Sequence, residues 1–313
     1  MTALSREAFE ARLRALLAER YHDAHPFNLR MHEGRLSPEE IRAWVRNRYY
    51  YQTRIPIKDG HILAKSEDPA FRREWVGRLH DHDGSRDAVG GLELWLRLAD
   101  AVGLDREEVG SLRRALPGVR DACDDYVRFV ESHDLLASVA ASLTELAAGD
   151  IMHARIAAFE KHYPWVDAAG LRYFHRRTTQ APRDGSFGLG FVLDHALTPP
   201  DQERCVEALA RKCDILWRLL DAVEAAQRRP RLTSHALVRM DAADGRTLVV
   251  LPERAVRTSG SADEILALCD GARSREAIAH DLAARHPDRE GVWDDVHRFL
   301  EEMERLGVLE GTG

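Results

Sequence analysis

Across the first 230 residues, apolar side chains recur at helical spacing and almost no alternating strand pattern interrupts them. Phe9, Leu13, Leu16 and Leu17 form one stripe, Leu136, Val139, Ala140, Leu143 and Leu146 another, and Leu209, Leu216, Leu219 and Val223 a third. Helices with one apolar face must bury that face against each other, so an all-α bundle is expected. Ser5 is a candidate N-cap for the first helix, and Pro26 marks its expected end. Ser37-Pro38-Glu39-Glu40 is a second helix start, with proline at the first helical position. Further helices are expected over 70–79, in LELWLRLADAVGL, and over 119–129, 135–162, 171–178 and 201–226.

The stretch from Trp44 to His61, WVRNRYYYQTRIPIKDGH, departs from an ordinary amphipathic helix. Trp44, Arg48, Tyr51, Gln52 and Ile55 fall on one face, so an arginine and a glutamine lie within an otherwise apolar, aromatic stripe. Burying such groups is costly unless something polar meets them. Pro56 predicts a kink or an end, which sets Lys58 and Asp59 outside that face. Elsewhere the residues that break apolar faces are mostly cationic or phenolic: His22, Arg78, His82, Arg155, Tyr173, Arg177 and Lys212. Many arginines with few acids call for an anionic ligand, most simply a polycarboxylate held by bidentate guanidinium contacts. Neighbouring tyrosines suit a flat aromatic one.

Other classes fit less well. The net charge of −7 argues against general nucleic-acid binding. No apolar run approaches a membrane span, and the N-terminus lacks the pattern of a secretory signal. Cys123, Cys205, Cys213 and Cys269 form no CxxC pair, which fits a reducing cytoplasm and no zinc site. Asp150-Ile151-Met152-His153 has the acid-x-x-His spacing of a di-metal carboxylate bundle, but its second copy is missing. A di-metal oxygenase on a helical scaffold is therefore the competing enzyme class. A non-catalytic carrier is the competing binding class.

The pattern changes after Gln227-Arg228-Arg229-Pro230-Arg231, a charged segment expected to open a linker over 229–236. Residues 237–240 and 247–251, separated by Asp241-Ala242-Ala243-Asp244-Gly245-Arg246, predict a β-hairpin. Short helices over 261–268, 274–286 and 292–306 and a short final strand complete a small α+β, winged-helix-like domain over 237–313.

Specific motifs carry a family resemblance over residues 1–228. Arg20-Tyr21-His22, His25-Pro26-Phe27, Trp44-Val45-Arg46-Asn47-Arg48-Tyr49-Tyr50-Tyr51-Gln52 and Ile55-Pro56-Ile57-Lys58-Asp59 are similar to the pyrroloquinoline-quinone (PQQ) synthase family, PqqC. So are His82-Asp83-Gly84, Gly90-Gly91, Leu116-Pro117-Gly118-Val119-Arg120, Ser142-Leu143-Thr144-Glu145-Leu146, His162-Tyr163-Pro164-Trp165 and Leu216-Trp217. The remainder resembles PqqD, a peptide-binding module, so the chain resembles a PqqCD fusion.

The resemblance implies a heme-oxygenase-like seven-helix bundle that binds no heme. It implies an oxidase needing no metal or organic cofactor, which ring-closes and oxidises a tricarboxylate quinone precursor with O2, giving PQQ and hydrogen peroxide. By motif position Tyr21, Arg48, Tyr51, Gln52, Arg78, Tyr126, Thr144, Glu145, Arg155 and Lys212 would bind the substrate. His22 and His82 would be candidate bases, and Tyr173 and Arg177 would bound the oxygen pocket. The implied partners are the precursor peptide PqqA and the radical-SAM enzyme PqqE at the C-terminal module, with a homodimer, no nucleic acid and no membrane. Two positions depart from the family. Met152 stands where it carries a histidine, with His153 one residue later, and Phe187 precedes Gly188-Leu189 in place of a histidine. Either the oxygen-pocket histidine is absent or His153 reaches in through a local shift.

Overall fold

The structure, a computed structural model, describes residues 2–312 except 244 and 259. It divides into two compact units, Met1–Asp221 and Ala222–Gly313. The division falls in the last turns of a helix, a little before the expected boundary at 228.

The first unit is helical among its described residues: α1 (Arg6–Arg20), α2 (Pro26–His32), α3 (Pro38–Lys65), α4 (Pro69–Asp83), α5 (Gly91–Ala101), α6 (Arg106–Gly110), α7 (Pro117–Ser132), α8 (Leu135–Ala140), α9 (Glu145–His162), α10 (Arg172–His195) and α11 (Pro199–Gln227). Its centre is aromatic. Trp44 of α3 stacks on Phe174 of α10, and Trp95 of α5 meets Tyr173 edge-on with ring centroids 4.8 Å apart.

α3 is the axial element. Ser37 and Glu40 form a reciprocal capping box at its start, and the helix continues through Pro56 for 28 residues. A proline inside a helix costs about 3 kcal/mol. Tertiary contacts outweigh that cost here, because Lys58 and Asp59 beyond the proline are fully buried and bonded to α4 and to Ser142 in the 141–144 turn. The expectation that these two residues leave the buried face is therefore corrected.

Three other elements differ from the sequence expectation. The helix expected over 135–162 breaks at residues 141–144, so α9 begins at Glu145 and this carboxylate occupies its first turn, where the helix dipole favours it. The helix expected to end at Thr178 runs on to His195 through Pro182. Pro26 does not follow the first helix directly. α1 ends at Arg20, a 3-10 turn spans His22–Ala24, and Pro26 opens α2 with His25 as its cap. That irregular turn aims His22 inward, with its carbonyl accepting from Asn28 Nδ2 at 2.6 Å.

α9 and α10 approach closely because glycines line their contact. A Cβ on Gly185 would lie 2.9 Å from the Leu146 nitrogen, and one on Gly149 would lie 3.1 Å from the Pro182 ring. The helical stretch Leu135–His162 is long and apolar enough to cross a membrane by composition, but 67% of its most apolar window is buried inside the protein.

In the second unit, β2 (Leu237–Met240), β3 (Thr247–Leu251) and β4 (Arg254–Thr258) form an antiparallel meander, with Met240 opposite Thr247 and Val249 opposite Val256. The expected β2–β3 hairpin thus gains a third strand; Asp244 of its turn lies outside the described residues. The expected linker is corrected too. Arg229–Leu232 is a strand, β1, antiparallel to β5 (Leu309–Thr312). The helices α12 (Ser261–Leu268), α13 (Arg275–Arg285) and α14 (Val292–Arg305) follow the expected spans closely.

Gly185→Ala should destabilise the first unit by about 1–3 kcal/mol, because the added methyl meets backbone that cannot yield easily. Urea unfolding of the variant, with an unchanged midpoint, would show that α9 and α10 do not pack this tightly.

Candidate active site

The bundle interior holds two electrostatically different groups of side chains. The first comprises Arg48 from α3, Arg155 from α9 and Lys212 from α11, all buried. Among the described residues none of the three has a carboxylate partner. They rest on aromatic faces instead. The Arg48 guanidinium is 4.0 Å from the Tyr51 ring centroid, Arg155 is 5.2 Å from that of Trp44, and Lys212 Nζ is 3.8 Å from that of Tyr126. Lys212 Nζ also donates to Tyr51 Oη at 2.9 Å, and Arg155 Nη2 donates to Asn28 Oδ1 at 3.3 Å.

Burial without a counter-charge disfavours these cations. Burial, reinforced by Arg48, brings Arg155 down to about 9 and Lys212 well below the usual lysine range. His22 is pushed well below the usual imidazole range, first by burial and then by Arg48, Arg155 and Lys212. Among the described residues neither ring nitrogen of His22 has a hydrogen-bond partner, and Arg48 Nε and Nη1 and Arg155 Nε are likewise unbonded. Tyr21 packs edge-on against His22 at 4.4 Å, and burial raises its phenol.

The second group is a compensated ion network. Asp59 accepts from Trp75 Nε1 at 2.9 Å and Arg78 Nε at 3.2 Å, and lies 2.6 Å from Lys58 Nζ. Lys58 also donates to Ser142 Oγ at 3.0 Å, which is 3.3 Å from Tyr126 Oη. Arg78 Nη2 donates to Glu145 Oε1 at 3.2 Å, and Arg177 Nη2 donates to Glu145 Oε2. Asp184 Oδ2 lies 2.9 Å from Arg78 Nη1, an ionic contact outside hydrogen-bond alignment, and 3.5 Å from Arg177 Nη1. Lys58, Arg78 and Arg177 thus face Asp59, Glu145 and Asp184, and their formal charges cancel. Burial works against ionisation of Glu145, but Arg177 and Arg78 outweigh it and hold the carboxyl at about 2. Burial lowers Lys58 to about 8 despite Asp59.

His82, Tyr173 and Gln52 complete the interior. His82 Nδ1 lies 3.0 Å from the Arg78 carbonyl, while its Nε2 is buried and unbonded. Burial, with Arg177 adding to it, lowers His82 to about 4. Tyr173 Oη donates to Gln52 Oε1 at 2.8 Å. Thr144 is buried beside the part-buried Glu145.

All the site residues expected from the sequence therefore lie in the interior of this unit. Lys58, Asp59, Ser142, Asp184 and Asn28 were not among them. Asp59 carried a signal, since it falls four residues after Ile55 on the stripe through Trp44 and Arg48 if α3 is unbroken. Asp184 carried none, because its helix was expected to stop short of it. Asp150 and His153 are exposed, and the ring of His153 bonds back to the Gly149 carbonyl at 3.0 Å. Met152 is the residue turned inward, so His153 does not reach the interior. Phe187 packs against Phe71 and Trp75. Among the described residues no group of three or more His, Cys, Asp or Glu could hold a metal ion. Two surface clefts of about 670 and 650 Å³ lie elsewhere, and none of the expected site residues lines them.

Comparison with known proteins agrees with this layout. The sequence model of the TENA/THI-4/PQQC family matches residues 10–222, and that of coenzyme PQQ synthesis protein D (PqqD) matches residues 246–309. The pyrroloquinoline-quinone synthase of Rhizobium meliloti is 51% identical over 72% of this chain and 88% of its own length. That of Pseudomonas aeruginosa is 47% identical over 76% of this chain and 94% of its own length. Among solved structures, a TenA homologue from Pseudomonas syringae superposes with a TM-score of 0.55 at 12% identity, covering 72% of this chain and 98% of its own. A Shewanella denitrificans domain with a heme oxygenase-like fold gives 0.55 at 13% identity, over 70% of this chain and 89% of its own. The helical unit thus has the heme-oxygenase-like fold.

The depressed histidines set a pH dependence. In the unfolded chain His22 and His82 take up protons near the ordinary value of about 6.5, but in the folded protein only well below it. Their stabilising contribution is complete above about 6.5 and is lost as pH falls toward the folded value, which for His82 is about 4. His82 alone should cost about 3 kcal/mol over that interval. Urea unfolding at pH 7.5 and 4.5 should therefore show a smaller acid loss for His82→Asn than for the wild type. Equal losses would show that His82 is not buried neutral.

Proposed function

The chain belongs to the TENA/THI-4/PQQC family, and from that premise we propose that it catalyses the last step of PQQ biosynthesis. The substrate is the tricarboxylate quinone precursor, which is ring-closed and oxidised by O2 to PQQ with release of hydrogen peroxide. The observation that carries this reading is the set of buried cations Arg48, Arg155 and Lys212, without carboxylate partners and resting on aromatic rings. A planar polycarboxylate supplies both the missing charges and a surface for the rings.

His22 and His82 are neutral near pH 7 and each has an unbonded ring nitrogen, so each is free to accept a proton in ring closure and C–H deprotonation, although burial makes both weak bases until a ligand's negative charge raises their basicity. Tyr173, held by Gln52, and Arg177, whose charge acts on His82, bound the place where O2 is reduced. The quinol form of the substrate supplies the electrons, so the reaction needs no resident metal or organic redox cofactor. The four cysteines are free and buried, which supports a cytoplasmic enzyme. A homodimer is the proposed assembly.

The second unit is proposed to bind the precursor peptide PqqA and to meet the radical enzyme PqqE. β2 is an edge of its sheet, and its Leu237 and Met240 are 62% and 75% exposed. An unprotected apolar edge of this kind can accept an extended peptide as an added strand.

Anaerobic mixing with the precursor should shift its absorption spectrum. Admitting O2 should then give PQQ and hydrogen peroxide, whereas binding without turnover would leave only a carrier. Arg48→Ala should weaken precursor binding by about 3 kcal/mol, roughly a hundredfold. Unchanged affinity by titration would remove α3 from the site.

A further inference from the structure

Asp184 belongs to no motif singled out in the sequence, yet it is a buried carboxylate in contact with three guanidinium groups. Its Oδ2 faces Arg78 and Arg177, while its Oδ1 accepts from Arg183 Nη2 at 2.7 Å and Nε at 3.0 Å. Glu145 bridges the same two inner arginines from the other side. Arg78, Glu145, Arg177 and Asp184 therefore close a ring of alternating charge. The half-exposed Arg183 extends it outward to Asp81.

The helices explain why the ring can close. Arg177 and Asp184 are seven residues apart on α10, two turns along one face. Gly185 lets that face approach the start of α9, where Glu145 stands in the first turn. Arg78 enters from α4 and is fixed from behind by Asp59.

We propose that Asp184 is a positioning residue for the oxidation, holding Arg177 and Arg78 in register with Glu145 and keeping their half of the site electrically neutral. This rests on the interior being the tricarboxylate site. The ring fixes where the Arg177 guanidinium points, and Arg177 is near enough for its charge to bear on His82 and Tyr173. The same neutrality leaves the anion-attracting role to Arg48, Arg155 and Lys212. Asp184 thus acts through the arginines, which take up both of its oxygens.

An asparagine keeps the shape of Asp184 but presents one oxygen and one amino group. Either the inner arginines or Arg183 then faces a donor, and the ring gains one net positive charge. Asp184→Asn should lower kcat about tenfold or more, through misplacement of Arg177. It should at the same time tighten binding of PQQ, measured by fluorescence titration, by about threefold to tenfold, since a nearby negative charge is gone. A crystal structure of the variant should show the Arg177 side chain moved off Glu145.

A purely structural ion cluster predicts otherwise: kcat and affinity fall together, or neither changes, with Arg177 in place. Either result overturns the proposal. Should Asp184→Asn be insoluble, Asp184→Glu keeps the charge on a longer arm. It should lower kcat with PQQ affinity unchanged, and an unchanged kcat overturns the proposal. Wild-type protein that fails to bind PQQ would overturn the function proposed above. The displacement of Arg177 in the variant crystal would still decide the role of Asp184 in holding it.

Discussion

Three cations buried without counter-ions are a burden on a folded protein. Removing a charge from water costs several kcal/mol even after local relaxation, and a cation–π contact returns only about 0.5–2 of it. Arg48, Arg155 and Lys212 all lie on aromatic faces, and none meets a carboxylate among the described residues. A sequence optimised for stability alone would place apolar side chains there. Their presence is what supports reading the interior as a site for an anion.

The rest of the helical unit supplies what this arrangement requires. α3 must run unbroken past Pro56, because Arg48 and Gln52 before the proline serve the site while Lys58 and Asp59 after it anchor the neutral network. α9 must start at Glu145 so that a carboxylate lies at a helix N-terminus and between two arginines. α10 must continue past Thr178 so that Asp184 arrives opposite Arg78. The unbroken α3 and α10 oppose the local preference of their prolines, and all three features are held by tertiary bonds.

That conflict also explains which parts were readable in the sequence. Helical periodicity gave the bundle, and the change of pattern after residue 229 gave the second unit. The cationic and phenolic residues on apolar faces marked side chains that the fold buries together, and they are the basis for proposing an anionic ligand. Local rules failed where tertiary bonds overrode them. Pro56 and Pro182 both lie inside helices, and the apolar run over 135–162 conceals the turn that frees Glu145. The charged segment after Gln227 was read as a linker because its partner strand, β5, is about 80 residues away in the chain. Asp184 became visible only once α4, α9 and α10 were brought together.

The two halves of the interior are also coupled through the histidines. His22 is held neutral partly by the uncompensated Arg48, Arg155 and Lys212, so the charges that attract an anion also suppress the basicity of the neighbouring imidazole. A bound carboxylate reverses this. Its negative charge offsets the cations and makes protonation of His22 more favourable. On the function proposed above, the proton affinity of His22 thus rises when the tricarboxylate arrives. His82 differs, because Arg177 beside it is already compensated by Glu145 and Asp184. Ligand charge therefore acts more on His22 than on His82. On that reading His22 answers to the charge of the ligand, while His82 is set by the protein around it.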